Sequence, residues 1–125
     1  MYSWIYVGIG GAIGALLRFA MSSWVHQKVS TFPLGTLIVN FLGCLAFSIV
    51  MFLSEAKGMI SDNTRLFLCV GIFSAFTTMS TFSYESMQLL DKKEFVKFCL
   101  NVFGGIALML GAVIAGKYLV LGLVK

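Results

Sequence analysis

Four long apolar runs, separated by three short gaps that hold most of the charged residues, constrain this chain more than any other feature. Only 11% of its 125 residues are charged and 59% are hydrophobic, which leaves too little charge for the surface of a soluble domain. A run of about 20 apolar residues can cross the hydrocarbon core of a bilayer as a helix. The pattern therefore predicts an all-α integral membrane protein, a single domain over residues 1–125 with spans at about 3–25, 34–54, 63–90 and 95–121.

Small residues at four-residue spacing mark the helix faces that we expect to pack closely. In the first run, Gly10-x-x-x-Gly14 and Gly11-x-x-x-Ala15 leave a smooth strip on which another helix can lie. A similar strip in the fourth run consists of Ala107, Gly111 and Ala115.

The third run contains six hydroxyl side chains within ten residues, although a membrane helix offers few places for them. They are Ser74, Thr77, Thr78, Ser80, Thr81 and Ser83. Hydrocarbon holds no water to satisfy polar groups, so this cluster must face protein or a water-filled path. Gly71 and the hydroxyls also weaken a straight helix. We predict two half-helices joined in mid-membrane by an unwound segment near residues 73–78, which presents carbonyls to cations and N–H groups to anions.

Polar side chains also interrupt the other runs. Arg18 lies far along the first span, where a guanidinium must reach the interface or find partners in protein. We expect it to be a structural anchor, with an anion-attracting role as the alternative. Thr36 and Asn40, four residues apart, share one face of the second helix, and Asn101 is the one strong polar group of the fourth. For the asparagines, bonding between helices and contact with a water-filled path are both open.

No residue set is typical of a hydrolase, a redox site or a phosphate-binding loop, so we expect no enzymatic activity. Met79 and Phe82 share a helical face, and the positive edge of an aromatic ring can meet an anion. Weak donors in series suit conduction, which favours a pore for a small anion. One alternative is a small multidrug-type, proton-coupled exporter, for which Glu85 is the only candidate carboxylate. Another is a non-transporting membrane assembly protein, in which the polar cluster joins helices. A purely structural alternative is that the hydroxyls bond back to carbonyls four residues earlier and that Met79 and Phe82 are ordinary core residues.

The basic residues give the chain almost no preferred orientation in a membrane. With four spans, one side of the membrane holds four of them: Lys57, Arg65, Lys117 and Lys125. The other side holds five: Arg18, Lys28, Lys92, Lys93 and Lys97. Because an excess of basic residues normally fixes the cytoplasmic side, a chain with this balance can insert both ways, which is compatible with an antiparallel dimer.

Three motifs, in order along essentially the whole chain, resemble those of the Fluc (CrcB) fluoride channel family. The motifs are Gly10-Gly11-x-x-Gly14-x-x-x-Arg18, Gly35-Thr36-Leu37-x-x-Asn40, and Gly71 to Ser83 with its end Ser80-Thr81-Phe82-Ser83. The resemblance implies a homodimer of two antiparallel subunits in the plasma membrane of a prokaryote, with two fluoride pores at the subunit boundary. It also implies passive export of cytoplasmic fluoride, which limits fluoride toxicity.

The resemblance further implies which residues meet the ions. A structural sodium ion at the dimer centre would be held by the backbone carbonyls of Ser74 and Thr77. Met79 and Phe82 fall on the two ring positions of the third helix. The candidate pore residues are Thr36, Asn40, Met79, Ser80, Thr81, Phe82, Ser83 and Asn101.

The chain departs from the family pattern at three places. Met79 stands where a phenylalanine is usual, and Ser74-Ala75 stands where a pair of glycines is usual. Gly105 and Met109 occupy positions of the fourth helix that are often polar. These departures leave open a second possibility, in which this chain is one subunit of a heterodimer whose partner completes the pore.

Overall fold

The structure, a computed structural model, describes residues 2–125 apart from the side chain of Lys57 and contains helices without any strand over that range. The first two helices are α1 (Ser3–Lys28) and α2 (Leu34–Lys57). Helix α3 starts as Asp62–Arg65, continues as a π-helix over Leu66–Phe73 and ends with Ser74–Phe76. Helix α4 is Met79–Asp91. Helix α5 comprises Phe95–Cys99, a π-helical stretch Leu100–Gly104, and Gly105–Leu123. The all-α prediction is confirmed.

Four helical segments are long and apolar enough to cross a bilayer. They are Ser3–Lys28, Leu34–Ala56, Asp62–Asp91 and Phe95–Leu123. Each contains one of the spans predicted from the sequence, extended by a few residues at its ends. Large apolar side chains also point outward from every one of these segments, as Leu16, Phe47, Val70 and Phe103 do, which suits contact with lipid. The chain is a multi-pass membrane protein.

Two exposed tryptophans, one near each end of α1, match the thickness of a bilayer. Trp4 is 87% exposed and Trp24 is 60% exposed. Their separation of twenty positions corresponds to roughly 30 Å along a helix, which is about the thickness of the hydrocarbon core. Tryptophans are enriched at the two membrane interfaces, and the Lys28 ammonium lies 5.0 Å from the centre of the Trp24 ring. The outer surface of α1 therefore carries an interfacial anchor near each end.

Helix α1 packs against α3 through glycines, so that the two backbones touch. A Cβ atom placed on Gly10 would lie 3.0 Å from the Cα atom of Gly71. One placed on Gly14 would collide with the carbonyl of Ile72. The predicted close contact is confirmed for Gly10 and Gly14. It is not made by Gly11, at which an added Cβ meets nothing within 4 Å.

Helices α2 and α5 meet through a different set of small residues from the predicted one. Gly116 faces Ser48 so closely that a Cβ there would collide with the serine hydroxyl, and Ala112 is fully buried. The predicted strip of Ala107, Gly111 and Ala115 is exposed along its length. That prediction is wrong within the subunit, because α5 carries two small-residue strips and spacing alone does not decide which one meets α2.

The helical path of the third span is interrupted at Thr77 and Thr78. Their backbones are extended, with φ −77° and ψ 155° at Thr77 and φ −148° and ψ 117° at Thr78. The predicted unwound segment was wider, since residues 73–76 are helical. The interruption follows a π-helical stretch, a feature frequent at functional sites, and it separates α3 from α4.

The glycine contact between α1 and α3 can be tested by adding a single methyl group. We expect Gly14→Ala to lower the stability of the purified protein by about 1–3 kcal/mol, because the backbone of Ile72 occupies the place of the new atom. Gly8→Ala, on the same helix but open to its surroundings, should change stability by less than about 0.5 kcal/mol. Thermal unfolding in detergent measures both, and equal stabilities of the two variants would contradict the packing described above.

Candidate functional site

The interruption of the third span is tied to α2 by the side chain of Asn40. Its Nδ2 donates to the carbonyl of Thr78 at 3.1 Å, and its Oδ1 accepts from the N–H of Thr78 at 2.7 Å. An extended residue inside a helical bundle has no helical partner for its N–H and C=O, and unpaired backbone groups are costly in an apolar interior. Asn40, itself buried, supplies both partners. An amide nitrogen carries two hydrogens, so one remains available.

Thr78 also begins the following helix. Its Oγ1 accepts the N–H of Thr81 at 3.2 Å and donates to the Thr81 hydroxyl at 3.0 Å, with the Ser80 hydroxyl 3.2 Å away. Threonine is a favoured residue at this capping position. The first turn of α4, whose N-terminus carries a partial positive charge, is therefore surrounded by hydroxyls.

Three of the other hydroxyls bond back to carbonyls of their own helix. Ser74 donates to Cys69 at 2.8 Å, Thr77 donates to Phe73 at 3.1 Å, and Ser83 donates to Met79 at 2.9 Å. This is the arrangement that the purely structural alternative predicted for the whole cluster. It applies to only part of it, since the hydroxyls of Thr78, Ser80 and Thr81 bond to one another.

The backbone carbonyls around the interruption fit a small hard cation. Ser74 lies in the last turn of α3 and Thr77 is the first extended residue. The N–H groups four residues after each of them bond to side chains instead, so these two carbonyls lack their helical partners. Unwound carbonyls of this kind bind sodium in broken membrane helices. Over the described residues, no cluster of three or more His, Cys, Asp or Glu side chains could hold a metal, so any cation here would depend on carbonyl and hydroxyl oxygens.

A polar cavity of about 250 Å³ lies next to the start of α4. It is lined by Arg18, Phe19, Ser22, Thr36, Thr78 and Thr81. The arrangement brings Arg18, from α1, together with Thr36 and Thr81, which were predicted independently from other motifs. A guanidinium, two threonine hydroxyls and a helix N-terminus all favour negative charge. The structural-anchor and anion-attracting roles of Arg18 both stay predictions.

A second cavity, of about 370 Å³, lies on the side of Glu85, a residue close to Thr36. The second cavity is lined by His26, Ser30, Thr31, Phe32, Pro33, Glu85, Gln88, Leu89, Lys92, Glu94 and Lys97. The Glu85 carboxyl lies beside the Thr36 hydroxyl. Thr36 therefore lines the first cavity and is close to Glu85, which lines the second cavity together with three basic residues, His26, Lys92 and Lys97.

Met79 and Phe82 do not share one environment, contrary to the expectation from their spacing. Met79 is 64% exposed on the outer face of α4, together with Ser80 and Ser83, whereas Phe82 is 3% exposed. Two residues three positions apart differ by about 60° around a helix, which is enough for the edge of the packed face to fall between them. The ring of Phe82 lies against Gly105 of α5.

Asn101 approaches Phe82 from inside the subunit. Its side chain is 0% exposed, and its Nδ2 donates to the Ser86 hydroxyl at 2.9 Å. Ser86 in turn donates to the backbone carbonyl of Phe82 at 2.7 Å. Asn101 therefore lies behind the site, and α4 separates it from the exposed face that carries Met79.

The motifs and their geometry can be compared with those of known proteins. A family model described as "CrcB-like protein, Camphor Resistance (CrcB)" matches residues 5–117. The chain belongs to the CrcB family. It is 44% identical over 123 residues to the fluoride-specific ion channel FluC 1 of Methanosarcina acetivorans, which covers 98% of this chain and 94% of that protein. It is 41% identical over 113 residues to the fluoride-specific ion channel FluC of Thermus thermophilus, with 90% and 87% covered.

Three residues of this CrcB family site were missed as site residues by the sequence analysis. Thr78 could have been found from its position three residues before Thr81, a spacing typical of helix caps. Glu85 was considered only as the carboxylate of an exporter, because its neighbour Thr36 is 49 positions away in the chain. Ser86 gave no signal, since nothing in its local sequence indicates that Asn101 is its partner.

Replacing Asn40 tests its pairing with the extended backbone. Asn40→Asp removes the donor to the Thr78 carbonyl and puts a second acceptor in its place, so we expect a loss of about 1–3 kcal/mol in stability. Asn63→Asp, on the exposed first turn of α3, makes the same chemical change and should be neutral. Thermal unfolding of the two variants gives the comparison. An Asn40→Asp protein as stable as the wild type would show that the pairing does not hold the interruption.

Proposed function

We propose that this chain is a fluoride-selective channel that lets fluoride leave the cytoplasm passively and so limits its toxicity. The observation that carries the proposal is the cavity that brings Arg18, Thr36 and Thr81 together beside the start of α4, which is held by Asn40. The curated relatives are named fluoride-specific ion channels, which supports fluoride as the ion and a channel rather than an enzyme. They come from archaea and bacteria, which supports the plasma membrane of a prokaryote as its location.

In this proposal the working unit is an antiparallel homodimer. Met79, Ser80 and Ser83 lie on the exposed face of α4, where methionine and two hydroxyls suit contact with a second subunit and an ion path better than contact with lipid alone. The partner supplies the opposite wall. The even distribution of basic residues between the two sides of the membrane supports insertion in both orientations.

The pore residues act through weak donors in series. Hydroxyls of Thr36, Ser80 and Thr81 and the free N–H of Asn40 replace part of the hydration shell of the anion, and the ring edge of Phe82 contributes positive potential. Such contacts let an ion enter and leave, whereas a single buried cation would retain it.

A sodium ion is proposed at the dimer centre, held by the carbonyls of Ser74 and Thr77 from both subunits. When bound, it supplies positive charge that joins the two chains. The hydrogen bonds between Asn40 and Thr78 hold the extended backbone in place, so that the neighbouring carbonyls keep their direction.

Two other candidates each rest on a specific observation. A proton-coupled exporter is favoured by Glu85, one of whose carboxyl oxygens is buried without a hydrogen-bond partner among the described residues. A heterodimeric fluoride channel is favoured by Met79, because a thioether on the exposed face has no ring edge to offer to an anion.

Fluoride efflux from liposomes that contain the purified chain alone separates these candidates. We expect rapid release of fluoride down its gradient, no release of chloride, and no dependence on a proton gradient. Glu85→Gln should still conduct, whereas an exporter would lose its proton-coupled transport. Absence of fluoride release from the homodimer would contradict the proposal, and release restored by a second, co-purified chain would identify the heterodimer.

Phe82 gives the sharpest test of the pore assignment. Phe82→Ile keeps an apolar side chain but removes the ring edge, so we expect fluoride efflux to fall by about tenfold or more, the factor for a loss of about 1.4 kcal/mol. The dimer should stay intact in size-exclusion chromatography. Phe103→Ile makes the same change on an outward-facing ring and should conduct like the wild type. Equal flux in the two variants would place the pore elsewhere.

A further inference from the structure

The ring of Phe82 lies directly on the backbone of α5, at Gly105. A Cβ atom on Gly105 would lie 2.9 Å from Cε2 of the ring and 2.9 Å from Cδ2 of Leu37. Carbon atoms in good contact are about 3.5–4.0 Å apart, so only glycine leaves the ring in its present position. Gly105 and Phe82 are both buried. The groups that a Cβ on Gly105 would meet are the ends of the Phe82 and Leu37 side chains. A methyl group there would therefore displace the ring more readily than it would unfold the helix.

The backbone of Phe82 is held by a second contact with the same helix. Asn101 donates to the Ser86 hydroxyl at 2.9 Å, and Ser86 donates to the Phe82 carbonyl at 2.7 Å. All three residues are buried, where hydrogen bonds in series strengthen one another. Asn101 precedes Gly105 by four residues, so the two contacts come from neighbouring turns of α5. One holds the main chain of Phe82 and the other limits its ring.

We propose that Asn101 and Gly105 are positioning residues, which set the place of the Phe82 ring at the ion path without contacting the ion. The inference rests on the proposed function, in which Phe82 borders the pore. It replaces a direct pore contact for Asn101, whose Nδ2 is bonded to the Ser86 hydroxyl on the side of α4 that faces α5. Groups that recognise a small ligand must be held to within about 0.5 Å by the residues behind them.

The first test displaces the ring without removing any polar group. Gly105→Ala should move the ring by about 0.5 Å or more to restore ordinary contact. A misplacement of about 1 Å can cost as much as a hundredfold in an enzyme, so we expect at least about a tenfold loss of fluoride efflux. The dimer should stay intact, with a melting temperature no lower than that of Gly116→Ala. Gly104→Ala is the matched control, since an added Cβ there meets nothing within 4 Å, and it should conduct normally.

The second test breaks the hydrogen-bonded link and then restores it. Ser86→Ala leaves the Asn101 amide without its acceptor and the Phe82 carbonyl without its extra donor, so efflux should fall by about tenfold. Ser86→Thr keeps a hydroxyl that can reach the carbonyl four residues earlier and should recover most of the efflux. Gly116→Ala, which crowds Ser48 on the far part of α5, controls for loss of stability and should unfold at a lower temperature with unchanged flux per folded dimer.

The outcomes separate this inference from the function on which it rests. Normal efflux in Gly105→Ala and Ser86→Ala would overturn the positioning role. So would losses of efflux no greater than the loss that Gly116→Ala shows for a similar drop in melting temperature. If the wild type releases no fluoride, the proposed function fails. Crystal structures of the variants then test the inference without a flux measurement. A Phe82 ring displaced in Gly105→Ala but not in Gly104→Ala supports it. A ring in the same place in both variants overturns it.

Discussion

The pairing of the Asn40 side chain with the backbone of Thr78 is the interaction on which the rest of this site depends. A membrane-spanning chain cannot leave N–H and C=O groups unpaired in an apolar interior, so two extended residues inside a bundle require partners from another element. Asn40 provides a donor and an acceptor from α2 at 3.1 and 2.7 Å. With Thr78 held, its hydroxyl caps α4, and the hydroxyls of Ser80 and Thr81 gather around the start of that helix.

The two halves of the third span are supported by different neighbours. Before the interruption, α3 lies on α1 through the contacts of Gly10 and Gly14 with the backbone of Gly71 and Ile72. After it, α4 is connected to α5 through Phe82, with its ring on Gly105 and its carbonyl linked to Asn101. An apolar bundle thus holds the polar segment around Thr78 and Phe82 at a fixed place. Hydrogen bonds from Asn40 of α2 and Asn101 of α5 offset the free energy of burying that segment.

Much of this architecture could be predicted from the sequence, because its signals are local. Apolar runs of bilayer length predict the spans, and the spacing of Gly10 and Gly14 predicts a close contact. The family resemblance extended the prediction to an ion and to particular residues. Residue spacing did not predict which face of a helix packs against a neighbouring helix. The strip around Gly111 is exposed, and Met79 is exposed whereas Phe82 is buried. The family resemblance placed Asn101 among the pore residues, whereas its hydrogen-bond partner Ser86 belongs to another helix and leaves no pattern in the sequence.

Ion currents across a planar bilayer that contains the homodimer test the central claim most directly. With a tenfold fluoride gradient and equal chloride on both sides, a fluoride-selective channel should give a current that reverses at about 59 mV, of the sign set by fluoride. Adding a pH gradient should leave that voltage unchanged, because no proton accompanies the ion. A reversal voltage that moves with the pH gradient or follows chloride, or a bilayer that carries no fluoride current, would contradict the account.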